Sequence, residues 1–256
     1  MGEMKNGLAA EERDMRRSLR LLATLVIVLA SAAPAAAILN GKPDTAHPYV
    51  GILVTDIDGQ LVPVCSGFLV NSTAFVTASH CVDDLGSFPA YVSFDQRFTP
   101  SSPVVHGTAV ANPDFGSPGK DTHDIALIVL DTPVANRGHA ELPAAGQLES
   151  AAKKNALTIV GYGAEGFLKG GGQPVPDFKL VRNTGDSRLS KLEKVGFNVR
   201  MSSGICFGDS GGPVLLGDTD VVAGVSSFVN HAQCAGNAFA YRVDTAASLA
   251  FLAPYL

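Results

Sequence analysis

The sequence predicts an all-β protein, a barrel or sandwich pair ending in one short helix. Three observations carry this. Short runs rich in β-branched and aromatic residues follow one another from Tyr49 onward, turn-forming residues separate them, and helical periodicity is nearly absent before the C-terminal tail.

The predicted strands are Tyr49–Val54, Leu61–Val70, Ala74–Thr77, Ala90–Phe94, Val104–Ala111, Ile125–Leu130, Leu157–Tyr162, Val195–Met201, Pro213–Leu216, Val221–Val229 and Ala238–Val243. Asp58-Gly59, the run Asn112–Gly119 and the run Gly170–Pro176 punctuate them with residues that supply a positive or a fixed φ. The polar stretch Asp131–Leu148 reads as the connection between two halves. In the tail Asp244 is placed to cap a helix over Thr245–Leu252, whose Leu249 and Leu252 share a face.

The chain has 256 residues, 46% hydrophobic and 17% charged, long enough for a sizeable core and too apolar for disorder. Its 19 Lys and Arg against 24 Asp and Glu give a net charge of -5, and no basic stripe supports nucleic-acid binding. The cysteines, Cys65, Cys81, Cys206 and Cys234, contain no C-x-x-C pair. Zinc ribbons and dithiol redox motifs are therefore disfavoured, and no metal or cofactor is expected.

Residues 1–37 read as a signal peptide. Arg16, Arg17 and Arg20 precede a run from Leu21 to about Ala33 that is shorter than the ~20 apolar residues of a spanning helix. Ala35 and Ala37 then form an A-x-A cleavage pattern, which disfavours an uncleaved membrane anchor. The leader holds five of the basic and four of the acidic residues, so the remaining 219-residue chain carries −6 and starts Ile38-Leu39-Asn40-Gly41. An exported protein favours disulfides, although four cysteines allow three pairings.

Three segments carry chemistry. Thr77-Ala78-Ser79-His80-Cys81 follows a strand, Asp124 opens the apolar strand Ile125–Leu130, and Gly208-Asp209-Ser210-Gly211-Gly212-Pro213 clusters glycines around one serine. A lone histidine or strand-opening acid is ordinarily structural. The glycine cluster lets backbone approach a ligand closely, which a simple hairpin does not require.

In the order His, Asp, Ser, these segments resemble the trypsin/chymotrypsin family of serine peptidases. The resemblance spans 38–256 and includes Ile38–Gly41, Cys65-Ser66-Gly67-Phe68-Leu69, Val160-Gly161-Tyr162-Gly163 and the Gly224–Cys234 strand. It implies two packed antiparallel six-stranded β-barrels, the first over about 38–135, the second over about 146–244, with a helix over about 245–253. It implies a secreted, monomeric serine endopeptidase acting on proteins or peptides, with proteinaceous inhibitors as further partners and no membrane contact after leader removal. Ser210 becomes the nucleophile, His80 the base and Asp124 the acid that orients it, with the Gly208 and Ser210 N–H groups as oxyanion hole. Asp121 and His123 flank Asp124, so the acid is assigned on its place at the strand mouth.

The resemblance also pairs Cys65 with Cys81 and Cys206 with Cys234. It places Gly204, Ser227, Phe228, Val229 and Ala238 in the specificity pocket, suited to small and medium apolar side chains, and pairs a free Ile38 ammonium with Asp209. Tyr162 and Phe228 stand where the family usually has tryptophan, which keeps an aromatic wall. Two other readings were weighed. A catalytically inactive binding or adaptor protein of this fold would ordinarily lack one of the three residues. An esterase of the α/β-hydrolase fold would show G-x-S-x-G and the order Ser, Asp, His.

Overall fold

The structure is a computed structural model that describes residues 38–39, 41–150, 155–168, 170, 173–200 and 204–256. The predicted leader, Asn40 and Met201 lie outside the described residues. Among the described residues no helix is long and apolar enough to cross a membrane.

After the short β1 (Lys42–Pro43), six strands close the first barrel. They are β2 (Val50–Ile57), β3 (Gln60–Leu69), β4 (Ala74–Thr77), β5 (Ala90–Ser93), β6 (Val105–Val110) and β7 (Ala126–Leu130), joined in the ring order β2-β3-β4-β7-β6-β5. The β2–β3 hairpin shows the local logic. Asp58 (φ 54°) and Gly59 (φ 80°) form its two-residue turn with positive φ at both positions, which matches the twist of the flanking strands. Asp56 Oδ1 accepts from the Gly59 N–H at 2.7 Å.

The second barrel uses β8 (Ala156–Gly161), β11 (Asn183–Leu192), β12 (Gly196–Arg200), β13 (Pro213–Leu216), β14 (Val222–Val229) and β15 (Asn237–Arg242), closed by the β11–β8 pairing. Between β8 and β11 a separate hairpin forms from β9 (Gly166–Leu168) and β10 (Val175–Asp177). All ladders within and between these strands are antiparallel, so the predicted pair of six-stranded barrels is present.

Besides β1 and the β9–β10 hairpin, which the sequence reading does not include, three features depart from it. Strand β11 went unpredicted because Asn183–Leu192 is polar; it exists through simultaneous pairing with β8 and β12, which no local pattern encodes. A short helix, α1 (Ser79–Leu85), follows β4. At the C-terminal helix α2 (Ala246–Leu252) the cap is Thr245, whose Oγ1 accepts from the Ser248 N–H, and not Asp244. Asp244 is fully buried, where its carboxylate takes two bonds from Arg242 and one from the Leu148 N–H.

One apolar core runs across both barrels, from Phe68 and Phe75 of the first to Tyr162, Val225 and Tyr241 of the second. A buried polar knot reinforces it. Arg182 donates to Asp44 (3.0 Å), to the Val50 carbonyl (3.1 Å) and to the Tyr162 hydroxyl (3.3 Å). Such a buried guanidinium is tolerable because it is paired with the Asp44 carboxylate and further hydrogen-bonded. Burial pushes the Tyr162 phenol up to about 12 despite the pull of Arg182, so it stays neutral and donates to the Asp95 carbonyl.

Candidate active site

Strand β4 delivers the chain to Ala78, and helix α1 begins immediately, so His80 sits in its first turn. Ser79 is buried beneath it and its hydroxyl donates to the His123 and Ile125 carbonyls, at 3.0 and 2.8 Å. Those bonds bracket Asp124 and hold it opposite the histidine. The Asp124 carboxylate then accepts from the His80 backbone N–H (3.0 Å), meets His80 Nδ1 (3.0 Å) and accepts from the Ser227 hydroxyl. Asp121, the rival acid, faces elsewhere: it accepts from the Tyr241 hydroxyl at 2.9 Å and from the His123 N–H at 3.0 Å.

The electrostatics follow from burial and pairing. Burial pulls the His80 imidazolium toward losing its proton, but the hydrogen bond and charge of Asp124, with a smaller contribution from Asp84, outweigh it and raise its pKa above 6.5. Burial likewise works against the Asp124 carboxylate, and the bonds from His80 and Ser227 overcome it, leaving its pKa lowered.

Ser210 arrives from the second barrel on a loop pressed against the first. A Cβ at Gly211 (φ 82°) would strike the Thr77 hydroxyl and the Ser66 carbonyl, so only glycine permits this approach. The Ser210 carbonyl accepts from the Ser66 N–H at 2.8 Å. Its hydroxyl points to the Ser227 carbonyl at 3.5 Å, and among the described residues no hydrogen bond joins it to His80. His80, Asp124 and Ser210 nevertheless line one cavity of about 420 Å³. Among the described residues, neither the Gly208 nor the Ser210 N–H has a protein acceptor.

The predicted pocket residues divide. Ser227, Phe228 and Val229 line the cavity, with Phe228 stacked on Phe239. Gly204 instead pairs through both backbone bonds with Leu39, and Ala238 is buried in the ladder opposite Val229. Ile205, Phe207 and Phe115, which the sequence reading did not single out, line the cavity. Ser227 was assigned to the pocket, and its bond to Asp124 was missed because no spacing links residues 103 positions apart.

Both implied disulfides are present, Cys65–Cys81 and Cys206–Cys234. The first ties β3 to the histidine helix, and the second anchors the loop leading to Ser210. The Asp209 side chain is buried against Gly161 and Gly163, accepting from the Gly163 N–H (2.8 Å) and the Cys206 N–H (2.9 Å). Burial pushes its pKa up to about 7, against the pull of those two bonds. Ile38 is buried in the second-barrel core.

Two antiparallel barrels that bring a serine, a histidine and a buried aspartate to one cavity define a serine peptidase. The trypsin family model matches residues 38–250, and the chain belongs to that family; it is a serine endopeptidase, a hydrolase of peptide bonds. A collagenase of Hypoderma lineatum is 26% identical over 202 residues, covering 73% of this chain and 74% of its own. Neutrophil elastase of Mus musculus is 26% identical over 227 residues, covering 84% and 81%. The solved structure of HL collagenase superposes with a TM-score of 0.62 at 23% identity, covering 81% of this chain and 94% of that one.

Proposed function

We propose that the protein is secreted and cleaves peptide bonds through an acyl-enzyme intermediate, after small to medium apolar residues. The observation that carries the mechanism is the Asp124–His80 pair sharing one cavity with Ser210, whose own N–H and that of Gly208 have no acceptor among the described residues. Ser210 Oγ attacks the scissile carbonyl carbon as His80 Nε2 takes its proton, and the carbonyl oxygen becomes an oxyanion bound by the Gly208 and Ser210 N–H groups. Each such donor contributes about 3–4 kcal/mol to transition-state stabilisation in comparable sites. His80 returns the proton to the departing amine, leaving the acyl group on Ser210. A water, deprotonated by His80, then releases the acid. For the attack the Ser210 hydroxyl turns from the Ser227 carbonyl toward His80. All three residues are present, which disfavours an inactive adaptor.

The neutral imidazole is the active base, so kcat/KM should fall as pH drops through the His80 pKa. Because that pKa is raised, the midpoint of the acid limb should lie above 6.5. Asp124→Asn should remove both the orientation and the charge, lowering kcat about 10⁴-fold by analogy with other members of this family. A profile of kcat/KM against pH on both proteins tests this; an acid limb centred well below 6.5 in the wild type would contradict it.

For specificity, the cavity wall of Ile205, Val229 and Phe228 is apolar, and among the described residues no carboxylate other than Asp124, already paired, lines it. A cationic side chain buried there lacks a partner, a cost of several kcal/mol. Chromogenic peptides ending in Ala, Val, Leu, Phe and Arg should rank with the small and medium apolar residues best and Arg last. A misfit of one methylene changes binding by only ~1–3 kcal/mol, so the preference should be broad. Best turnover after Arg or Lys would refute the assignment.

A further inference from the structure

Ser66, on β3 of the first barrel, touches both residues whose N–H groups are assigned to the oxyanion. It is fully buried. Its hydroxyl donates to the Gly208 carbonyl at 2.8 Å and accepts from the Tyr162 N–H at 2.9 Å. Its backbone N–H donates to the Ser210 carbonyl at 2.8 Å, and its carbonyl accepts from the Thr77 hydroxyl at 2.9 Å. Every polar atom of this one residue is committed, and two of the four bonds reach the oxyanion loop directly.

Gly208 stands at φ 89°. Glycine populates positive and negative φ about equally, so nothing intrinsic to the residue aims its N–H. The aim has to come from the peptide groups beside it. On the far side of Gly208, the N–H of Asp209 is held by the Cys206 carbonyl at 3.1 Å. The carbonyl of that same peptide is held by Ser66 Oγ. Without the hydroxyl, the Gly208 carbonyl and the Tyr162 N–H lose a buried partner together, while the bond from Ser66 N–H to Ser210 survives. The Gly208 N–H itself lies on the preceding peptide, whose Phe207 carbonyl accepts from the Ala164 N–H at 2.8 Å, so the loss frees the C-terminal side of Gly208 and leaves that donor anchored from one side only.

We infer that Ser66 Oγ is a positioning residue for the oxyanion hole, pinning the Gly208–Asp209 peptide, next to the donor, from the opposite barrel. The assignment rests on the acyl-enzyme reading above. It makes the first barrel a contributor to transition-state binding as well as the source of the base and its acid. Its effect should appear where charge develops on the substrate oxygen, and hardly at all in ground-state binding.

The test compares Ser66→Ala and Ser66→Gly with wild type in the processed enzyme. The measurements are kcat, KM, affinity for a peptide boronic acid that forms a tetrahedral adduct with Ser210, affinity for the matching non-covalent peptide, and Tm. Both variants should lose roughly 10- to 100-fold in kcat, less than the 10²–10³ of deleting a donor outright, with KM within about twofold. Boronate affinity should fall by the same factor as kcat/KM, while the non-covalent peptide binds as before. An unchanged kcat would overturn the assignment. So would equal loss of both ligands, or failure of both variants to fold, since either makes the hydroxyl merely structural. A wild-type enzyme that neither turns over nor labels at Ser210 would instead sink the acyl-enzyme reading itself, and this assignment with it.

Discussion

Ser210→Ala should lower kcat/KM by about five to six orders of magnitude while leaving the fold intact. The magnitude follows from the unit behaviour of a nucleophile and its base: once the attacking oxygen is gone, His80 and Asp124 have nothing to activate, and only binding and the oxyanion donors remain. The stability expectation has a separate basis. Ser210 Oγ makes a single long hydrogen bond, to the Ser227 carbonyl at 3.5 Å, so its removal should change stability by no more than about 0.5 kcal/mol. A sulfonyl fluoride reagent should label the wild type at Ser210 with one equivalent and the variant not at all. Turnover retained by the variant would move the chemistry to another residue.

The second large effect concerns Asp209 and the peptide bond before Ile38. The family resemblance supplies the pairing, and two observations support it here. Asp209 is a wholly buried carboxyl whose pKa burial pushes up to about 7, and among the described residues no cation is paired with it while Ile38 remains an amide. Ile38 also holds φ at 62°, a costly conformation for a β-branched residue, and scission of the bond to Ala37 abolishes that torsion. A chain beginning at Ile38 would bring an ammonium to the carboxylate. N-terminal sequencing of the active enzyme should therefore read Ile-Leu-Asn-Gly. Asp209→Asn in that enzyme would leave a buried ammonium unpaired, at about 3–5 kcal/mol, and should reduce kcat/KM roughly 10²–10³-fold. Undiminished activity in an enzyme carrying residues ahead of Ile38 would refute the pairing.

The same carboxyl gives the uncleaved chain a distinctive pH dependence. Its unfolded pKa is near 3.8 and its folded value about 7, so between those limits the native state holds a proton that the unfolded state has lost. Stability of the uncleaved chain should thus fall as pH rises from about 4 to 7 and flatten above, by at most about 4 kcal/mol. In the processed chain the ammonium stabilises the ionised carboxylate, and this slope should disappear. Thermal unfolding against pH, with Ser210→Ala present in both forms to prevent self-digestion, separates the two cases.

How far the sequence alone reaches differs from one part of the molecule to another. The candidate catalytic residues were legible because their signals are local. Glycines must surround a serine whose loop packs directly onto Thr77 and Ser66, and an acid at the mouth of an apolar strand is readable within a few residues. Strand β11 was not legible, since its polar residues become a strand only between β8 and β12. The capping error at α2 has the same origin. Asp244 is a good cap by type, but Arg242 and the Leu148 amide compete for its carboxylate, leaving Thr245 to the helix.

What the sequence determined by itself was the all-β class, the candidate serine and histidine, and an even set of cysteines. Each depends on residue type and short-range spacing. Only the tertiary structure decided that Asp124 rather than Asp121 meets His80, that Ile205 rather than Gly204 lines the cavity, and that the hydroxyls of Ser66 and Ser227 support the site. These choices join positions from 44 to 142 residues apart. A hydrogen bond of 3 Å between such positions is set by closure of two barrels against each other, and closure leaves no trace in the local pattern of either segment.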